Sequence, residues 1–71
     1  MATKQIKDKV LQTLRDPKYH GEISGNDQTW VKLIGVDYPE ILDAFVELKL
    51  EEKIEYYRSG DGLIDIVRLK N

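Results

Sequence analysis

Four carboxylates stand out by their spacing. Glu40, Asp43, Glu47 and Glu51 follow one another at intervals of three, four and four. On a helix such intervals put side chains on one arc. From Asp37 to Glu55 there are seven carboxylates and two lysines, a local balance of −5. A row of that kind attracts cationic partners and repels phosphates. The plain alternative is a solvated helix face. Besides those two lysines, the cations are Lys4, Lys7, Lys9, Arg15 and Lys18 near the start, Lys32 in the middle, and Arg58, Arg68 and Lys70 near the end. They read as ordinary surface residues or as phosphate contacts.

Little else points to chemistry. His20 is the single histidine, between Tyr19 and Gly21, and no nucleophile or orienting partner accompanies it. With no cysteine and one histidine, thiolate and multi-histidine metal sites are excluded. No phosphate-cradling glycine loop, metal-ligand spacing or nucleophile elbow occurs. Ser59-Gly60-Asp61-Gly62 is glycine-rich, but as a hairpin turn. The reading is a binding function without catalysis and without cofactors or metal.

A chain of 71 residues holds one core, so residues 1–71 are read as one domain. Apolar residues at 41% and charged residues at 34% indicate a soluble globular chain. Apolar runs never exceed three residues, so neither a membrane span nor a signal-peptide core is expected, and the expected location is the cytoplasm. Net charge is −2, but residues 1–35 balance to +2 and residues 36–71 to −4.

The elements that must position these groups follow from periodicity. Ile6, Val10, Leu11 and Leu14 mark an amphipathic helix over 3–15, with Thr3 as cap and Asp16-Pro17 as stop. Glu22-Ile23-Ser24, bracketed by glycines, predicts a very short strand with Ile23 inward. Asn26 or Asp27 starts a second helix to residue 34, where Gly35 fits a left-handed end. Asp37, Pro39 and Glu40 form a start signal with a capping box for a third helix ending near Glu52. Its apolar stripe is Ile41, Leu42, Ala44, Phe45 and Leu48, and the four carboxylates are expected on the opposite arc. Ile54–Arg58 and Leu63–Leu69 predict a hairpin around the glycine turn. In its second strand Ile64 and Ile66 are expected on one face, with a bulge or a partly covered outer face accounting for the imperfect alternation. Trp30 is read as core. Of Tyr56 and Tyr57 one must point outward, and that one, like Tyr38, is a candidate interface aromatic.

The order is helix, strand, helix, tight turn, helix, hairpin. Leu33-Ile34-Gly35-Val36-Asp37 has the form of a helix-turn-helix turn. Phe45, Leu48 and Leu50 fit inward positions of a third helix, Glu52-Lys53-Ile54-Glu55 a passage into a wing, and Ser59–Gly62 a wing tip. In these features the chain resembles the winged helix-turn-helix family of DNA-binding domains, over nearly its whole length. Lys53 departs from it, since the family often has glycine after the helix. The resemblance implies an α+β fold with three helices, a short strand and a C-terminal β-hairpin wing.

The resemblance also implies a third helix in the DNA major groove. Here that helix is acidic. A carboxylate near a phosphate costs on the order of 1 kcal/mol even in water, and four accumulate. The preferred reading is therefore a regulatory module whose third helix docks a protein with a basic surface. Tyr38, Glu40, Asp43, Glu47 and Glu51 would form that surface, within a transcription or nucleic-acid-handling assembly or a self-associating subunit. The alternative is a DNA-binding regulator that uses Lys32, Arg58, Arg68 and Lys70 as a homodimer. A lesser alternative is an acidic decoy of nucleic acid.

Overall fold

The computed structural model describes residues 3–58, 60 and 64–70. Its elements are α1 (Lys4–Arg15), β1 (Glu22–Ser24), α2 (Asp27–Ile34), α3 (Tyr38–Leu50), β2 (Ile54–Arg58) and β3 (Ile64–Leu69). Three helices pack with one three-stranded antiparallel sheet of order β1-β3-β2. This is a small α+β domain, compatible with a winged-helix-like arrangement. The expected wing tip lies largely outside the described residues, at Ser59, Asp61 and Gly62.

Local signals account for most boundaries. The Thr3 hydroxyl accepts from the Ile6 N–H, and the Asn26 side chain accepts from the Thr29 N–H at 3.1 Å. Each satisfies a backbone donor that a first helical turn leaves open. The Asp16 carboxylate accepts from the Lys18 N–H, closing a turn across Pro17 where α1 stops. Gly35 ends α2 with φ +87°, a conformation that strains any residue with a Cβ. The α3 start departs from expectation. Asp37 occupies the cap position but makes no side-chain cap hydrogen bond. Its carbonyl receives Glu40 and Ile41 N–H instead, and the proline in the first turn presets the helical φ.

The end of α3 falls at Leu50, before the expected Glu52. Glu52 is left-handed at φ +61°, and the N–H groups of Glu52 and Lys53 donate to the carbonyls of Lys49 and Leu48. That is a Schellman closure, in which glycine is the usual left-handed residue. The residue bearing the strain is thus Glu52, one position before Lys53.

The core comes from every element. Val10, Leu11 and Leu14 of α1, Ile23 of β1, and Trp30 and Ile34 of α2 are buried. They meet Ile41, Ala44, Phe45 and Leu48 of α3, together with Ile54, Ile64 and Val67 of the hairpin. Trp30 stands edge-on to Phe45 with ring centroids 4.8 Å apart, a favoured aromatic geometry. Two positions depart from the pattern, and the second departure is the bulge that the broken alternation suggested. Leu50 is 78% exposed rather than inward. In β3, Ile64 and Val67 are both buried, whereas Ile66 lies on the other face. The cause is a β-bulge: Tyr57 pairs with Ile66 and Arg58 with Ile64, leaving Asp65 without a β2 partner.

Candidate interaction surface

The buried residues of α3 define which way the helix faces. Ile41, Ala44, Phe45 and Leu48 have no accessible surface. At about 100° per residue, the direction opposite their mean is occupied by Pro39, Asp43, Val46 and Leu50, each within about 30° of it. Val46 is 38% and Leu50 78% exposed. Leu42, half-buried, adjoins the same strip. The outward surface of α3 is thus an apolar strip with Asp43 at its edge. Glu40, Glu47 and Glu51 stand to one side of it. The sequence reading set all four carboxylates opposite the stripe of Ile41, Leu42, Ala44, Phe45 and Leu48; of the four, Asp43 lies nearest the outward direction.

The acidic side of the ridge leans toward α1. The Lys7 ammonium hydrogen-bonds the Glu51 carboxylate and lies 3.8 Å from Glu47. Lys53 adds a contact of 3.3 Å to Glu51. The Lys7 hydrogen bond holds the Glu51 carboxyl below its usual range, against the opposing cost of desolvation, and Lys53 adds to the shift. The same bond raises Lys7. Glu47 and Glu51 are therefore engaged with Lys7, and Glu51 follows the helix as its cap rather than belonging to it. Glu40 and Asp43 are exposed.

The other side of the ridge leans toward β2 and is aromatic and cationic. The Lys49 ammonium sits over the Tyr56 ring at 4.4 Å, and the Arg58 guanidinium approaches the same ring at 5.7 Å. Such contacts hold cations against an aromatic face without neutralising them. Tyr38, half-buried at the start of α3, has its hydroxyl pKa raised by burial and by Asp27, and lowered in part by Arg58.

The remaining candidate cations are scattered. Arg68 projects from the outer sheet face, where its guanidinium donates to Glu55 at 2.9 and 3.2 Å and lies over the Tyr57 ring. The Tyr57 hydroxyl donates to that same carboxylate oxygen. Glu55 is held below its usual pKa first by the Arg68 bond, then by the Tyr57 bond. Lys70 lies 4.0 Å from Glu52. Lys32 is exposed on α2. The four residues that a DNA mode would use thus occupy α2, β2 and the end of the hairpin, and Arg68 is already matched by a carboxylate.

His20 is an exposed loop residue at φ +54°. With Gly21, Glu22, Arg68 and Leu69 it lines an open concavity of about 430 Å³. Among the described residues no group of three histidine or carboxylate side chains converges as a metal site would require, and no helix is long and apolar enough to cross a membrane. No protein-family model, curated protein or solved structure matches this chain.

The sequence reading gave Val46 no role and placed Leu50 inward. The signal was present, since Leu50 lies roughly 200° around a helix from Leu48 and so cannot share its face.

Proposed function

We propose that this domain is a non-catalytic, winged-helix-type binding module that docks a protein through the outward surface of α3. The observation that carries the reading is the Pro39–Val46–Leu50 ridge, with Leu50 78% exposed beside a row of carboxylates. An exposed leucine and valine one helical turn apart form the kind of apolar centre that protein interfaces surround with charge. The matching partner offers an apolar contact for the ridge and cationic side chains for Glu40 and Asp43. Glu47 and Glu51 meet Lys7 of α1, a contact the sequence reading did not assign them.

The DNA alternative has less support. Its basic residues do not converge on α3, and the Arg68 charge is met by Glu55. Phosphate binding needs cations that release counterions on contact.

Two experiments separate these readings. The chain is used as bait for proteins of its own cells, with Leu50→Lys and Arg58→Ala as comparisons. Leu50→Lys is expected to abolish retention while leaving the fold intact, and Arg58→Ala to change it little. Retention unaffected by Leu50→Lys would refute α3 docking. In parallel, a heteronuclear NMR titration with duplex DNA is expected to leave α3 and the hairpin unshifted. Salt-sensitive shifts gathered at Lys32 and Arg58 would establish the DNA reading in its place.

A further inference from the structure

We propose that β1 takes up an extended peptide as a further strand of the sheet, with a basic residue of that peptide opposite Glu22. This sheet edge is a different surface from the outward side of α3, and the inference does not depend on α3 docking.

The main chain of β1 is set for it. The sheet order β1-β3-β2 leaves β1 at an edge. The Leu69 N–H donates to the Gly21 carbonyl at 2.8 Å, and the Gly25 N–H to the Asp65 carbonyl at 3.0 Å. With Ile23 opposite Val67, these bonds turn the main chain of Gly21, Ile23 and Gly25 toward β3. The intervening Glu22 and Ser24 turn theirs away, and both residues are exposed. The Glu22 N–H donates to the Tyr19 carbonyl at 3.1 Å. The Glu22 carbonyl and both main-chain groups of Ser24 have no protein partner among the described residues. An added antiparallel strand satisfies all of them. One peptide residue exchanges both its bonds with Ser24, and the residue two further on donates to the Glu22 carbonyl. The other edge of the sheet is less open, because Ile54 of β2 is 1% exposed.

Charge decides which residue stands opposite Glu22. On the outer sheet face Glu55, Arg68 and Glu22 lie in register across β2, β3 and β1. Their signs run negative, positive, negative toward the edge. Arg68 gives its hydrogen bonds to Glu55, at 2.9 and 3.2 Å. Glu22 is left as the outermost carboxylate of the row, without a hydrogen bond or ion pair to its side chain among the described residues. The next member of the alternation is a cation, since opposite charges facing each other on neighbouring strands attract and like charges repel. The concavity beside His20 and Leu69, about 430 Å³, gives a long basic side chain room to lie at this end of the row.

The strand is three residues long. Few main-chain bonds are on offer, which protects the edge from indiscriminate pairing. Affinity is accordingly low, and the side chain opposite Glu22 selects the peptide.

The probe is a short peptide of alternating threonine and valine with one central arginine, titrated into the full chain and followed by heteronuclear NMR. Saturable shifts are expected at the amides of Ile23, Ser24 and Gly25, with slowed hydrogen exchange at Ser24. Glutamate in place of the central arginine is expected to weaken binding roughly tenfold, and Glu22→Lys to reverse that preference. N-methylation of the peptide at the arginine and at the residue two before it removes the donors without touching the protein, and is expected to abolish binding. Leu50→Lys is expected to leave it unchanged, which separates this surface from α3. Absence of saturable shifts at β1 would overturn strand addition, as would indifference to N-methylation. Equal binding of the arginine and glutamate peptides would overturn the pairing with Glu22. Slowed Ser24 exchange that appears with rising chain concentration alone would give the edge to a second copy of the chain instead.

Discussion

Leu48 and Leu50 are the same residue two positions apart on one helix, and they do opposite things. Leu48 has no accessible surface and packs among Ile41, Ala44 and Phe45, whereas Leu50 is 78% exposed. The same contrast holds for the whole helix. Its inner face is closed by α1, α2 and β2, and its outer face is an apolar ridge between charged flanks. Burial makes the first a matter of stability. Exposure leaves the second available for recognition. Hydrophobicity alone does not tell them apart, but position around the helix does.

Substitution should widen that contrast. The largest effect is expected at Phe45, whose replacement by alanine removes the ring against Trp30 and opens a cavity. A loss of about 3–5 kcal/mol, read from denaturant midpoints, is expected, enough to unfold much of a marginally stable domain. Leu48→Ala should cost about 2–5 kcal/mol by the same mechanism. Leu50→Ala should change stability by no more than about 0.5 kcal/mol, since little is buried there. A comparable loss for both leucines would erase the distinction between the faces.

The two left-handed helix ends sharpen the comparison at smaller scale. α2 closes on Gly35 at φ +87° and α3 on Glu52 at φ +61°. A Cβ built on Gly35 meets nothing nearer than the Lys9 side chain at 3.9 Å. Gly35→Ala should therefore cost roughly 1–2 kcal/mol through backbone strain alone. Glu52→Gly should do the reverse and stabilise by up to about 1 kcal/mol. The sign of each is readable from thermal melts. A stabilising Gly35→Ala would mean that the turn relaxes out of its left-handed state.

The smallest effect concerns the acidic flank. Glu51 and Glu55 have their pKa values lowered in the folded chain by Lys7 and by Arg68 respectively. Their contribution is complete above the ordinary value of 4.5 and is lost as pH falls through the lowered folded values. Lys7 is raised, so its contribution is complete below 10.5 and is lost as pH climbs through the raised value. Glu51→Gln should flatten the decline of melting temperature below pH 4.5 and move α3 relative to α1 little. An unchanged acid slope would mean that Lys7 contributes nothing at that contact.

Much of the fold is legible in the sequence. Thr3, Asn26 and Gly35 act on their own turns, and Pro17 and Pro39 on their immediate neighbours, so each boundary is written beside the residue that makes it. The short strand at Ile23 followed from its flanking glycines. The capping box at Asp37 failed because the carbonyl of Asp37 and the constraint of Pro39 suffice to start α3. The candidate site was less legible. The acidic row followed from its spacing, but the meeting of Glu47 and Glu51 with Lys7 of α1 did not.

By itself the sequence determined the order, type and approximate limits of the helices and strands, because caps, proline, glycine and periodicity act within a few residues. Only the tertiary structure decided three further things. It set Lys7 against Glu51, 44 positions away, and Arg68 against Glu55, 13 positions away. It inserted Asp65 as a bulge that turns Ile64 and Val67 inward together. And it closed one face of α3 while leaving Val46 and Leu50 uncovered. The physical reason is common to all three. Which apolar residues become inner, and which charges become neighbours, depends on how the elements pack around a shared core, and no local signal carries that information.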